Sequence, residues 1–331
     1  MPGPDRSGEQ RGRHASGDAR PPPPHRAFAF GGGAGRRAVV SVSPQNGILL
    51  GVTHRYLDLP VPIGLAHRGG WLFDAAGNAR TELENTAAAF QHAVDLGYLY
   101  LETDVHATRD GVLVAFHDET LDRATDRSGA IADLPSTEVA RARVGGGEPV
   151  PLLEDLLDAW PQARFNIDVK ADGAVEPLAG VLDRTGAWDR VCLGSFDQAR
   201  LDRVRRTMGP RVATSCGPVD VARLRVASLH PALRPLARRG VQCVQIPMRM
   251  HGFPVLSRDL IATAHRLGMQ VHVWTVNDTG VMARLLDAGV DGIVTDNTTG
   301  LRDVLRARGA WPPAGGDPVP PADDQDGSRT R

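Results

Sequence analysis

Glu102 and Asp104 stand two residues apart in Leu101-Glu102-Thr103-Asp104-Val105, and Asp168 and Lys170 repeat that spacing in Asn166-Ile167-Asp168-Val169-Lys170. On an extended strand, residues i and i+2 share a face, so each pair projects its charges to one side. Three carboxylates meeting there repel one another unless a cation lies between them. An all-oxygen donor set suits Ca²⁺, Mg²⁺ or Mn²⁺ rather than zinc. A solvated loop edge is the plainer reading of one Glu-x-Asp taken alone. A further polar cluster, His67-Arg68-Gly69-Gly70, ends another apolar run, and its glycines let backbone approach a ligand closely. His117 follows a third apolar run, Gly111 to Phe116. Imidazoles of ordinary pKa ~6.5 suit proton transfer near neutral pH. Arg68 can grip two oxygens of an anion, whereas Lys170 acts as a point charge.

The elements that must position these groups alternate in type. Short β-type runs cover Ile63 to Ala66, Tyr98 to Val105, Arg164 to Val169, Val191 to Ser195, Arg211 to Ser215, Val241 to Ile246, Gln270 to Thr275 and Gly292 to Thr295. Helical periodicity follows most of them, as in Thr86 to Leu96, Gln198 to Met208, Arg258 to Leu267, Thr279 to Ala288 and Thr299 to Arg308. Gly97, Gly209, Gly268, Gly289 and Gly309 stand where those helices should stop. Eight such units predict a closed (β/α)8 TIM barrel, an α/β fold whose catalytic rim is the C-terminal end of the strands. The polar clusters all sit at such ends. Gly111 to Phe116 and the polar stretch up to Pro151 predict a small insertion after the second strand.

Composition limits the alternatives. Hydrophobic residues are 41% and charged residues 23% of 331, ordinary for a chain that buries a core. With 38 basic against 39 acidic residues, the net charge of -1 gives no field for nucleic acid, so an anionic small molecule must be attracted locally. Cys192, Cys216 and Cys243 are odd in number and widely spaced, which predicts buried thiols in a reducing compartment. No run reaches the ~18 apolar residues of a membrane-spanning helix and the start lacks a secretory apolar core, so the expected location is the cytoplasm, without stable membrane insertion. Residues 1–51 and 312–331, rich in Pro, Gly and charge, are expected to be a disordered leader and tail flanking a barrel at 52–311. The leader is expected to be dispensable, or not part of a native protein that starts near Val52. Nothing in the sequence fixes an oligomeric state.

The order of motifs then becomes specific. Leu65-Ala-His-Arg-Gly-Gly70, Glu84-Asn-Thr86, Glu102-Thr-Asp104, Asp110-Gly111 and Phe116-His-Asp118 resemble the signature of the glycerophosphodiester phosphodiesterase family. The resemblance continues through Pro151-Leu-Leu-Glu154, Asp168-Val-Lys170, Ser195-Phe196, Val273-Trp-Thr-Val-Asn277 and Gly292-Ile-Val-Thr-Asp296, covering about residues 63 to 309. It implies metal-dependent hydrolysis of a glycerophosphodiester to glycerol 3-phosphate and an alcohol. Glu102, Asp104 and Asp168 match the ligands of one divalent cation, Ca²⁺ or Mg²⁺, with Mn²⁺ as a further candidate. His67 and His117 match the general acid and base, and Arg68 and Lys170 the cations that hold phosphoryl oxygens. Glu84 matches an acidic residue beside the site, and Trp274 an aromatic of the pocket wall. Asp168 departs from the usual Glu, a shortening that related lysophospholipid-cleaving barrels share.

Other readings stand beside this one. The same residues would serve a lysophospholipase D-like phosphodiesterase, and Trp71, Leu72 and Phe73 in the long loop Gly69 to Leu83 could form an apolar lip for an acyl arm. A catalytically silent barrel that binds a phosphorylated ligand is the non-enzymatic rival. Trp274 could be core instead of pocket wall. His92 and His265 read as helix-surface residues, His272 has no neighbours comparable to those of His67 and His117, and His106 lies near the site without a role. Gly292 to Asp296 reads as barrel closure rather than catalysis.

Overall fold

The computed structural model describes residues 54–237, 240–250 and 252–311, so the expected leader and tail lie outside the described residues. Eight parallel strands follow one another in chain order: β1 (Ile63–His67), β2 (Tyr100–Ala107), β3 (Arg164–Val169), β4 (Val191–Gly194), β5 (Ala213–Thr214), β6 (Cys243–Pro247), β7 (Gln270–Trp274) and β8 (Gly292–Thr295). They alternate with α1 (Ala87–Asp95), α2 (Leu153–Ala159), α3 (Val175–Thr185), α4 (Gln198–Met208), α5 (Pro218–Ala227), α6 (Arg258–Arg266), α7 (Thr279–Asp287) and α8 (Thr298–Ala307). The sheet runs β5-β4-β3-β2-β1-β8-β7-β6, and a parallel bridge from Ser215 to Cys243 joins its two ends. This is a (β/α)8 barrel. Its first and last strands pair over Ile63–Gly292 to Ala66–Thr295.

Local chemistry starts and stops the helices. Thr86, Asp197, Ser257, Asp278 and Asn297 each accept the backbone N–H three residues on, which satisfies a donor that the first turn leaves open. The five glycines expected to end helices all have positive φ. Helices α2, α3 and α5 lie where the periodicity singled out none; α5 buries Leu224 but exposes Val219 and Val226, so its apolar residues do not form one stripe. The fifth strand is only Ala213–Thr214, because Gly209–Arg211 forms a 3-10 turn.

Three apolar clusters divide the molecule. The largest lies between sheet and helices and includes the fully buried Phe90, Phe165, Leu178 and Ile293. A second fills the barrel interior away from the catalytic rim, where Tyr56, Leu65, Tyr100, Cys192, Cys243 and Val294 meet, and the Tyr100 hydroxyl donates to Tyr56 O at 2.7 Å. All three cysteines are buried free thiols, as expected. The third belongs to the insertion, which begins with Leu113–Ala115 antiparallel to β2 and packs Val114, Phe116, Leu121, Ile131, Val139 and Val144 on one another. The insertion therefore has a small core of its own. Among the described residues, no helix is long and apolar enough to cross a membrane.

Candidate active site

Strand register assembles the site. Pairing of β1 with β2 sets His67 beside Glu102, and pairing of β2 with β3 sets Asp104 beside Asp168 and Glu102 beside Asn166. Just past β1 the chain turns through Arg68 at φ 52°, and the Arg68 N–H donates to Glu102 Oε2 at 3.1 Å. A Cβ on Gly70, which has a φ of 83°, would collide with Thr298 Cγ2, so only glycine lets this loop run so close to the start of α8.

The carboxylates and cations interlock. Lys170 Nζ lies 2.9 Å from Asp104 Oδ1 and 2.7 Å from Asp168 Oδ2. Arg68 donates through Nη1 to Glu84 Oε2 at 2.9 Å, and its Nε lies 3.1 Å from Asp104 Oδ2 as an ion pair without hydrogen-bond alignment. Burial alone would raise the Asp104 pKa, but Lys170 and Arg68 hold it below the ordinary value. Glu102 Oε2 lies 3.8 Å from His67 Nε2, and burial together with the charge of Asp104 pushes Glu102 up to about 7. Burial also raises Asp168 despite Lys170, and Asp168 Oδ1 is buried without a hydrogen-bond partner. The donor set is all oxygen, carries surplus negative charge and includes one orphaned atom, so these residues fit a hard divalent cation. Among the described residues, no three acidic, imidazole or thiol groups are gathered as a ready cage, because Lys170 stands between Asp104 and Asp168.

Each of the two histidines is backed by a carboxylate. His67 Nδ1 lies 2.6 Å from Asp296 Oδ1, and His117 Nδ1 lies 2.6 Å from Asp118 Oδ1. A carboxylate only accepts, so each Nδ1 carries the proton, and the Nε2 of His67 faces Glu102 Oε2 at 3.8 Å. Burial would lower the His67 pKa, but Glu102 and Asp296 outweigh it and the net shift is upward. Asp118 is held at about 2, chiefly by its hydrogen bond from Arg123. Arg123 reaches both Asp118 Oδ2 and Glu84 Oε1, so one chain of ion pairs runs from His117 to Arg68.

His67, Arg68, Glu102, Asp104, His117, Asp168, Lys170 and Trp274 all line one cavity of about 560 Å³. Trp274 is partly buried and meets Phe196 edge to face at 5.4 Å, so it is pocket wall as well as packing. Lys170 Nζ lies 5.4 Å from the centre of the Phe196 ring. Glu84 is outside this cavity, facing a smaller one that His67, Arg68 and Asp296 share with Trp71. The loop after β1 forms a two-stranded hairpin, Leu72–Phe73 with Ala79–Arg80, whose Phe73 is exposed.

Three further residues join the site. Asp296, placed by sequence reasoning in a closing strand, does follow the strand that pairs with β1, but its side chain orients His67; the Gly-Ile-Val-Thr-Asp order carried no hint of a histidine 229 residues away. Asn277 donates to Asp296 Oδ2 at 2.8 Å and accepts the Asp296 N–H at 2.9 Å. Asn85, at φ 58°, donates to Asp104 Oδ2 and accepts from Thr103. His106, left without a role, bonds through Nε2 to the backbone carbonyl of His117 and so holds the insertion to β2. His272 is fully buried beside Gln245 and Gln270, away from the cation cluster. The helix-surface reading holds for His265, which is exposed on α6 and bonds to Asp291 at 2.7 Å, and needs correction for His92, which is half-buried with Nε2 shielded and unpartnered.

The sequence matches the model of the glycerophosphoryl diester phosphodiesterase family over residues 67–299, the span that holds every one of these groups. The chain belongs to this family. Within it, the chain is 43% identical over 257 residues to the probable glycerophosphodiester phosphodiesterase 2 of Mycobacterium tuberculosis, an alignment covering 75% of this chain and 92% of that protein. It is 30% identical over 279 residues to the human lysophospholipase D GDPD1, covering 73% of this chain and 85% of that protein. An Oleispira antarctica phosphodiesterase, solved in complex with the product sn-glycerol-3-phosphate, has the same fold with a TM-score of 0.59 at 20% identity, covering 74% of this chain and 97% of that one. A glycerophosphodiester phosphodiesterase from Agrobacterium tumefaciens matches with a TM-score of 0.57 at 24% identity, over 73% and 99% of the two chains.

Proposed function

We propose that this member of the family is a phosphoric diester hydrolase that cleaves glycerophosphodiesters to glycerol 3-phosphate and an alcohol, assisted by one divalent cation. The observation that carries the reading is the pair of imidazoles on one cavity, each with a carboxylate 2.6 Å from Nδ1, beside Arg68 and Lys170. A phosphodiester is a stable anion whose hydrolysis needs charge neutralisation, a deprotonated nucleophile and a protonated leaving group. Arg68 and Lys170 supply cationic contacts for the non-bridging oxygens, and His67 and His117 supply the two proton transfers. Glu102, Asp104 and Asp168 would hold Ca²⁺, Mg²⁺ or Mn²⁺, which when bound adds positive charge against the phosphoryl oxygens.

A glycerophosphodiester carries a hydroxyl next to its phosphoester, so the first attack can be intramolecular, an advantage of up to ~7–11 kcal/mol in ideal geometry. One histidine takes the hydroxyl proton as that oxygen bonds to phosphorus. The other protonates the alcohol as its bond to phosphorus breaks. Water then opens the cyclic phosphate with the two roles reversed.

A second reading, a lysophospholipase D-like activity, draws on the cavity itself. Away from the charged groups its wall is Phe196, Val221, Ile246, Val255 and Trp274, which offers an apolar leaving group a dry surface. A screen of glycerophosphodiesters and lysophospholipids, each with Ca²⁺, Mg²⁺ and Mn²⁺ and scored by kcat/KM, separates the two readings. No turnover of either class under any metal would leave only a silent ligand-binding barrel.

A further inference from the structure

Helix α5 turns two faces to two different surroundings. Leu224 and Ala227 are buried in the cluster between sheet and helices, whereas Pro218, Val221, Ala222 and Arg225 line the substrate cavity. The second set is spaced i, i+3, i+4 and i+7, which is the spacing of one helical face. That face is apolar along its first turn and ends in a guanidinium. Helix α5 connects β5 to β6, and β6 stands opposite β2 in the ring of eight strands, so Arg225 enters from the wall across from Glu102 and Asp104.

Besides its histidines, the cavity is lined by three cationic residues, Arg68, Lys170 and Arg225. Arg68 and Lys170 are both paired with carboxylates. Arg225 is not. Its Nη1 donates to Ser228 Oγ at 3.1 Å, and among the described residues it forms no ion pair. That hydrogen bond takes one of the five guanidinium N–H groups and leaves the charge uncompensated. The wall that α5 and the loop after β6 give to the cavity, with Val221, Met250 and Val255, is otherwise apolar, which strengthens any charge pair formed beside it.

We propose that Arg225 is a specificity-determining residue that binds a carboxylate on the alcohol arm of the substrate. The inference rests on the phosphodiesterase reading above and names the alcohol that leaves. One arm of the diester is glycerol, whose free hydroxyls carry no charge, and the phosphoryl group between the arms already has Arg68 and Lys170. The charge that Arg225 meets therefore belongs to the other arm. A carboxylate carries a single negative charge and offers two oxygens to the planar fork of a guanidinium. A terminal phosphate monoester carries up to about two charges, more than one guanidinium neutralises. An alcohol built like a hydroxy amino acid meets these demands.

Glycerophosphoserine and glycerophosphoethanolamine differ by that one carboxylate, so the ratio of their kcat/KM values isolates it. With Ca²⁺, Mg²⁺ or Mn²⁺ supplied, the wild type should favour the serine ester about tenfold or more, as expected for a hydrogen bond between charged groups. Arg225→Gln should bring the ratio near one, Arg225→Lys should keep part of the preference, and Arg225→Glu should turn it toward the ethanolamine ester. A wild-type ratio near one overturns the proposal. So does an Arg225→Gln variant that keeps the wild-type ratio, even if it loses both esters in equal proportion, because the side chain would then serve the shared phosphoryl group or the fold. Calorimetry of the two matching phosphonates, in which a methylene replaces the ester oxygen of the alcohol arm, reads the same preference as a ratio of Kd values without turnover. If neither ester is hydrolysed, the phosphodiesterase reading fails, and the phosphonate ratio alone decides for or against Arg225.

Discussion

Lys170 Nζ lies 2.7 Å from Asp168 Oδ2, while the other oxygen of that carboxylate is buried without a hydrogen-bond partner. The lysine thus satisfies one half of the group and leaves the other to the cation proposed above, while burial and the charge of Asp104 raise the pKa of Glu102 nearby. Chelation should abolish turnover, and Ca²⁺, Mg²⁺ or Mn²⁺ should restore it. Asp104→Asn should lose most cation affinity by calorimetry while its circular dichroism stays that of a folded barrel. Full activity of that variant after exhaustive chelation would refute the assignment of these three carboxylates.

The two His–Asp pairs predict parallel losses. His67→Ala and His117→Ala should each lower kcat by ~10²–10⁴-fold, the usual range for a general acid or base. Asp296→Asn and Asp118→Asn should each cost ~10–100-fold by loosening the ring and its tautomer. An activated leaving group should rescue the histidine variant that lacks the acid and leave the other impaired. Equal rescue of both would show that the pair does not divide the work.

Removing the neighbouring hydroxyl from the substrate probes internal attack. If the hydroxyl is the first nucleophile, its replacement by hydrogen should abolish turnover while binding persists as competitive inhibition. Hydrolysis at the parent rate would mean that water attacks phosphorus directly.

His265 is tied to Asp291, which raises its pKa above the ordinary value. A raised folded-state pKa means that the stabilisation is complete below the unfolded value of ~6.5 and disappears as pH rises through the folded value. The side chain is 40% exposed, so screening limits the effect to less than about 1 kcal/mol. Urea unfolding of wild type and His265→Gln should therefore differ on the acid side and converge on the alkaline side. A gap that widens with rising pH contradicts this sign.

The insertion carries His117 on its own small core, in which Leu121 is 1% exposed. Leu121→Ala should cost about 2–5 kcal/mol of packing, felt first as faster hydrogen exchange across the insertion. Activity should fall with that local opening while exchange in β3 and β4 stays slow. Uniform acceleration across the barrel would instead show that the insertion and barrel unfold as one unit.

Much of this site was legible because its residues sit in short strings with fixed geometry. Glu102 with Asp104, and Asp168 with Lys170, declare a common face by spacing alone, and the glycines after Arg68 declare a close approach. The barrel was legible for a related reason, since strands, caps and helix-ending glycines are local signals. Asp296, Asn277 and Asn85 were not, because each acts through a partner that only the fold brings near. The same holds for Arg123, whose two carboxylate partners lie 5 and 39 residues away in sequence. Helix α5 escaped notice because its apolar residues lie both inside and outside, breaking the periodic stripe on which recognition depends.

Pairing of the first strand with the last has a consequence for biosynthesis. As the polypeptide leaves the ribosome, Arg68, the three carboxylates, His117 and Lys170 have all emerged by residue 170 of 331, yet the partner of His67 sits just past the final strand. A nascent chain stalled before Asp296 can gather the charges but lacks the group that fixes His67 in one tautomer. On the proposed mechanism, catalytic competence therefore arrives late, once the seam between β1 and β8 has closed, and incomplete translation products are left without a finished acid–base pair.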